Sequence, residues 1–158
     1  MITQRSIPTH FFTGQLMLLT ALASSSAAQA PSSPRPVKWA APDPGLTWAP
    51  CPPVFPAGCE VAILDGDPAS GPSDVFLRTP PNYTFPAHRH TSTEHLVLIS
   101  GVLHVTYIGP QVVELRSGTY ALVPAKASHK AHCANSGPCV MFIRFDVPID
   151  AEVTNDIP

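Results

Sequence analysis

Four side chains in this 158-residue sequence have the types and the spacing of a metal site. His88 and His90 are separated by one residue, so both side chains point to the same side of an extended segment. Glu94 follows four residues after His90, and a bend at 91–93 would bring its carboxylate to the same point. His129 is a fourth candidate, about a strand pair further along the chain. Three imidazoles and a carboxylate suit one divalent transition metal (Fe, Mn, Ni, Cu or Zn) better than Ca or Mg.

The segments that would position these residues have the pattern of short β-strands. Apolar runs end repeatedly at Gly, Pro, Asn or Asp, and the chain beyond the N-terminal region shows no helical period. The strand-like runs are 60–64, 74–79, 94–100, 102–108, 111–115, 119–123, 128–134 and 139–147. Strands at this spacing predict an all-β sandwich or barrel, and periodicity alone does not choose between the two.

The spacing of the metal-site candidates is similar to that of a known family. Residues 86–101 read PAHRHTSTEHLVLISG and resemble the first motif of the cupin superfamily, and residues 118–129 read GTYALVPAKASH and resemble the second. The resemblance covers roughly residues 60 to 146. It implies a single-domain cupin jelly-roll barrel with one metal in its mouth. The ligands that it implies are His88, His90, Glu94 and His129.

Three positions depart from the family pattern. Asn82 and Lys126 stand where glycine is common, and Cys133 stands in the usual place of asparagine. None of the three is a metal ligand in the family. The departures therefore concern loop geometry more than the site itself.

The resemblance also implies a range of activities. A metal held by four protein groups keeps two open positions for water, dioxygen or a chelating substrate. The predicted function is a metal-dependent oxidoreductase of the dioxygenase type that acts on a small organic substrate, and no catalytic residue is assigned beyond the ligands. Two alternatives stay open: a non-catalytic metal-binding, ligand-binding or sensory module, and a metal-dependent decarboxylase, isomerase or lyase.

An apolar barrel interior favours a small apolar or aromatic ligand. Residues expected to line this pocket are Phe76, Tyr83, Phe85, Leu96, Leu98, Val123 and Phe142. Arg78 would hold a substrate carboxylate if the protein were a decarboxylase. Three other histidines, His95, His104 and His132, are expected to face away from the site by strand alternation.

The first 30 residues have the three parts of an export signal. Arg5 supplies a positive charge, residues 16–23 form a short apolar core, and residues 28–30 read Ala-Gln-Ala, a small-x-small cleavage pattern. The apolar run is too short to span a bilayer. The sequence therefore predicts a secreted or periplasmic protein with no membrane attachment after cleavage; the alternative is an uncleaved anchor or a disordered tail.

The region after the export signal is rich in proline. Many of the 20 prolines fall in residues 31–57, where they disfavour helix and central strand. This stretch predicts an extended arm that packs on its own barrel or on a neighbouring subunit, and a homodimer is the habit of the family. The barrel is predicted at 58–148, followed by a tail at 149–158.

The charge and the cysteine content indicate which partners and which compartment to expect. The formal net charge is -2 and the basic residues are scattered, which does not favour nucleic-acid binding and leaves a small molecule as the expected partner. The four cysteines all lie after the leader, and an oxidising compartment favours their pairing. Of three connectivities, we favour Cys51 with Cys59 and Cys133 with Cys139.

Overall fold

The computed structural model describes residues 37–109 and 111–157, which contain eleven β-strands and no helix. The strands are β1 Ala49–Pro50, β2 Glu60–Gly66, β3 Ser73–Thr79, β4 Thr84–Arg89, β5 Glu94–Ser100, β6 Val102–Tyr107, β7 Val112–Arg116, β8 Tyr120–Val123, β9 His129–Cys133, β10 Cys139–Phe145 and β11 Glu152–Val153. The predicted all-β class is confirmed. The export-signal prediction falls on residues outside the described ranges.

Two antiparallel sheets form the barrel. The first sheet has the order β1-β2-β3-β10-β5-β8, and the second has the order β11-β4-β9-β6-β7. Their inner faces share a core that includes the fully buried side chains of Val75, Leu98, Leu103, Leu115 and Met141. No helix in the described residues is long and apolar enough to cross a membrane.

Three loop positions explain how the two motifs keep their shape. Gly101 joins β5 to β6 at φ 86°, and a Cβ there would lie 2.7 Å from the carbonyl oxygen of Pro138. Asn82 and Lys126 also have positive φ, 62° and 67°, although neither is glycine. The loops therefore retain the left-handed conformation that glycine usually supplies.

Both favoured disulfides are present. Cys51 pairs with Cys59 and so attaches the proline-rich segment to the start of β2. Cys133 pairs with Cys139 and links the end of β9 to the start of β10. Each bridge closes a short loop.

The described part of the proline-rich arm and the C-terminal segment both pack on the barrel. Leu46 is buried, and β1 pairs with β2. Residues 149–158 were predicted to be a C-terminal tail; within them β11 pairs with β4, with Val153 opposite His88. Ile157 is also buried. The barrel therefore extends beyond its predicted end at residue 148.

Candidate metal centre

Three histidines come from adjacent strands of the second sheet. His88 lies near the end of β4, and its Cα partner on β9 is His129. His90 follows directly after β4. The three rings are buried, and the nitrogen atoms that they offer to a metal lie within 4.8 Å of one another. The strand pairing thus brings together two histidines that are 41 residues apart in the sequence.

The orientation of each ring is fixed by the backbone. Each histidine donates its Nδ1 proton to a carbonyl oxygen. The three bonds run from His88 to Pro86 at 2.7 Å, from His129 to Ala127 at 3.2 Å, and from His90 to Asp150. A neutral ring that donates through Nδ1 has a lone pair on Nε2. The backbone therefore leaves three Nε2 lone pairs for a metal, the outer hydrogen bonding typical of metal-bound histidine.

Glu94 reaches the same place from the facing sheet. It begins β5, and its Oε2 lies 3.5 Å from Nε2 of His90 and 3.3 Å from Nε2 of His129. This oxygen is buried and has no hydrogen-bond donor among the described residues. Lone pairs on two nitrogens and a carboxylate oxygen at this separation repel one another unless a cation lies between them. The donor set therefore fits a divalent transition metal.

The close packing of these buried groups shifts the pKa values of His88, Glu94 and His129. Burial and the neighbouring His129 lower the pKa of His88 to about 4. Burial alone would raise the pKa of Glu94, but the adjacent His129, with smaller contributions from His90 and His88, outweighs it and lowers that pKa. Burial would lower the pKa of His129, but the carboxylate of Glu94, 3.3 Å from its Nε2, raises it. Glu94 is therefore a negatively charged group at neutral pH, as a metal-binding carboxylate must be.

The four residues open into a cavity of about 490 Å³ between the two sheets. Most of its lining is aliphatic or aromatic. Lining residues from the inner faces include Val75, Leu77, Leu96, Leu103, Val105 and Met141. In the described chain, no lysine or arginine lines this cavity. A ligand in the cavity would therefore meet charge only at the four-residue site, by which we mean His88, His90, Glu94 and His129.

A cover segment, residues 50–55, forms part of the cavity wall. The ring of Phe55 meets the rings of His88 and Phe85 edge to face, at centroid distances of 4.9 Å and 5.4 Å. The disulfide from Cys51 to Cys59 holds the segment in place. The proline-rich region thus contributes directly to the site.

Known proteins were compared with this chain. Residues 75–147 match the family described as cupin domain. The match covers slightly less than half of the 158 residues. No curated protein sequence matches the chain.

Solved structures share the cupin jelly-roll fold. A cupin-2 domain protein from Rhodospirillum rubrum has a TM-score of 0.61 at 13% identity, covering 77% of this chain and 83% of that chain. A DMSP lyase from Ruegeria pomeroyi has a TM-score of 0.59 at 14% identity, covering 72% and 63%. An oxalate oxidase has a TM-score of 0.52 at 19% identity, covering 61% and 55%. The chain spans less than two thirds of both enzymes, and such identities show the fold alone.

The cavity differs from the predicted pocket at five of the expected residues. In the described chain the cavity wall includes Phe85, Leu96 and Val123 but not Phe76, Arg78, Tyr83 or Phe142. Leu98 is fully buried in the core and is also absent from the wall. Alternation explains two of these differences: Val75 and Leu77 point inward on β3, so Phe76 and Arg78 point outward.

The outer face of the first sheet is apolar because the proline-rich region covers it. Phe76 packs there with Leu46 and Ala62, and its Cα partner Phe142 lies against it. Arg78 Nε donates to Glu60 at 2.7 Å, and its guanidinium lies 4.0 Å from the ring centroid of Trp48. Arg78 is therefore not available to a substrate carboxylate in the cavity.

Tyr83 lies behind the cavity wall. Its hydroxyl donates to the carbonyl of Pro56 at 2.5 Å, and its ring packs against Phe85 at 4.9 Å. The side chain thus supports the wall of the cupin barrel without facing the cavity.

Two contributions to the site escaped sequence reasoning. Tyr107 lines the cavity at the end of β6, and the inward alternation of Leu103, Val105 and Tyr107 was a usable signal for it. The carbonyl of Asp150 orients His90, and no sequence pattern indicated that contact.

The other three described histidines lie away from the cavity, as expected. His95 contacts Tyr120 and Asp146, His104 contacts Glu114, and His132 contacts Thr84. These contacts occupy the outer surface of the cupin barrel.

Proposed function

We propose that this protein is an exported, metal-dependent oxidoreductase of the dioxygenase type that acts on a small, largely apolar organic substrate. The observation that carries the proposal is the opening of the four-residue site onto an apolar cavity of about 490 Å³. The two disulfides support export, because such bonds persist in oxidising compartments.

The donor set is compatible with a redox-active metal. His88, His90, His129 and Glu94 would hold one ion, and iron or copper there would supply both Lewis acidity and redox chemistry toward dioxygen. The three Nδ1 bonds to carbonyls keep the rings oriented without the ion. The site is therefore preorganised for binding.

The cavity supports an apolar substrate with one chelating end. Aliphatic side chains exclude water from its body, and the polar atoms are concentrated at the four-residue site. An enolisable diketone, a flavonol or a catechol combines these two features. A dicarboxylate is less suited, because no arginine or lysine of the described chain lines the wall.

A second candidate is a metal-dependent binding module without turnover. It is favoured by one observation: among described residues, Glu94 is the only carboxylate on the cavity wall. If Glu94 is committed to the metal, no further carboxylate remains there to act as a general base. Lyase, isomerase and decarboxylase activities would each need such a group.

Oxygen consumption by iron-loaded protein tests the proposal. Diketones, flavonols and catechols are offered in turn, and substrate-dependent oxygen uptake is the expected result. His88→Ala should abolish the uptake, whereas His104→Ala, a change at a surface histidine paired with Glu114, should leave it intact.

Two outcomes would contradict the proposal. Uptake that survives in the His88→Ala variant would place the reaction elsewhere. Binding of the same compounds to metal-loaded protein without oxygen uptake would favour the binding module.

A further inference from the structure

Tyr107 is the one hydroxyl-bearing side chain on the cavity wall formed by the described residues. Apart from the four-residue site, the other wall residues are aliphatic, aromatic, proline or the disulfide-bonded Cys51. A polar group in such surroundings has a large effect on ligand orientation, because nothing else competes for hydrogen bonds.

The tyrosine hydroxyls of this chain differ in their partners. Tyr83 donates to the Pro56 carbonyl at 2.5 Å, and the Tyr120 hydroxyl is 2.9 Å from Nδ1 of His95. Within the described chain, the hydroxyl of Tyr107 has no hydrogen-bond partner. It is thus the tyrosine whose donor is left for a ligand.

Strand register places Tyr107 beside the four-residue site. It ends β6, and its Cα partner on β9 is His129. Side chains of directly opposed residues on neighbouring antiparallel strands lie on the same face, with Cβ atoms about 4.5–5.5 Å apart. A tyrosine phenol has an ordinary pKa of about 10, so it keeps its proton at neutral pH.

We infer that Tyr107 donates a hydrogen bond to an oxygen atom of a small ligand bound at the four-residue site, and so selects oxyanionic chelators such as enolates and carboxylates. This inference rests on the proposed metal site. It assigns Tyr107 as a ligand-orienting residue that favours oxygen donors over nitrogen donors of similar size. A hydrogen bond to a charged oxygen is stronger than one between neutral groups.

A binding experiment with Co²⁺-loaded protein tests the inference through the visible absorption of the metal. Two probes are titrated: acetylacetone, whose enolate offers oxygen acceptors, and imidazole, which binds through nitrogen and has no oxygen. Tyr107→Phe should weaken the affinity for acetylacetone about 10-fold and leave that for imidazole within about 2-fold. Tyr120→Phe removes the same hydroxyl on the outer surface and should change neither.

Each result has a defined meaning. Suppose that the Tyr107→Phe protein binds Co²⁺ but its affinity falls equally for both probes, or for neither. The role of Tyr107 would then be overturned, and the metal site would not. Failure of the wild-type protein to take up Co²⁺ would overturn both. Because binding is measured and not turnover, absence of oxygenase activity leaves this result interpretable.

Discussion

The Oε2 atom of Glu94 lies 3.3 Å from Nε2 of His129, the ring nitrogen that has no proton when Nδ1 donates to the Ala127 carbonyl. The carboxylate is buried and lacks a donor among the described residues. Glu94 therefore has an oxygen atom available to bind a cation. Replacing Glu94 should lower the affinity for a metal ion.

Glu94→Gln should weaken Co²⁺ affinity by about 100-fold or more, because the only anionic group of the four-residue site is lost. Isothermal titration calorimetry on chelator-treated protein measures the effect. Glu114→Gln is the matched control, since Glu114 is exposed and pairs with His104 and Arg116. Equal affinities for the Glu94→Gln variant and the wild type would remove Glu94 from the ligand set.

His88 should make the metal-free protein less stable in mild acid. Its pKa is about 4 in the folded state and 6.5 in the reference state, so between these values the unfolded chain binds a proton that the folded chain rejects. The free energy of unfolding should therefore fall by about 3 kcal/mol as the pH falls from 6.5 to 4. Urea denaturation in the presence of a chelator measures the slope.

His88→Gln should flatten that slope, and His104→Gln should not. The raised pKa of His129 acts in a different window, because its stabilising contribution is complete below pH 6.5 and is lost only at higher pH. A slope unchanged by His88→Gln would show that another group titrates there.

The two disulfides offer an internal comparison for the cover segment. Cys51 and Cys59 are 8 residues apart, and Cys133 and Cys139 are 6 apart. By the loss of chain entropy in the unfolded state, each bridge should add about 2–3 kcal/mol to the free energy of unfolding. Replacing either pair by alanine should lower stability comparably. Only loss of the Cys51–Cys59 bridge should speed the removal of Co²⁺ by a chelating dye, because that bridge holds Phe55 over His88. Equal rates for the two double variants would mean that the cover does not control access.

The C-terminal segment should affect metal affinity as well as stability. Deleting residues 149–158 removes the Asp150 carbonyl that accepts from His90 and the pairing of Val153 with His88. Loss of such an orienting contact typically weakens metal binding 10- to 100-fold. The Cys133→Ala/Cys139→Ala double variant serves as a comparably destabilised control. A folded truncated protein with wild-type Co²⁺ affinity would contradict this role.

The all-β fold and the spacing of three of the site residues were accessible from sequence because both are encoded locally. Alternation marks strands, and His88, His90 and Glu94 lie within seven residues of one another. His129 required the second motif, since only the pairing of β4 with β9 brings it near His88. That pairing is not visible in any local pattern.

The pocket lining was harder because β3 and β10 are apolar on both faces. Where one face meets solvent, alternation reveals which side chains point inward. Here Leu46 and Trp48 of the proline-rich region cover the outside, so Phe76 and Phe142 are as apolar as the lining residues Val75 and Met141. Which of the two alternating sets of side chains faces the cavity depends on the register of the strand, and composition does not reveal that register.

Asp150 and Phe55 were missed for a different reason. One acts through a backbone carbonyl, which every residue has, and the other acts through a segment whose prolines predict only an extended path. Their roles arise from where the two ends of the described chain meet the barrel.

The contact between His90 and the carbonyl of residue 150 also orders events during synthesis. A nascent chain whose ligand residues have already left the ribosome still lacks the acceptor that orients the second imidazole. His90 therefore gains this orienting acceptor only after all four residues of the four-residue site have been translated.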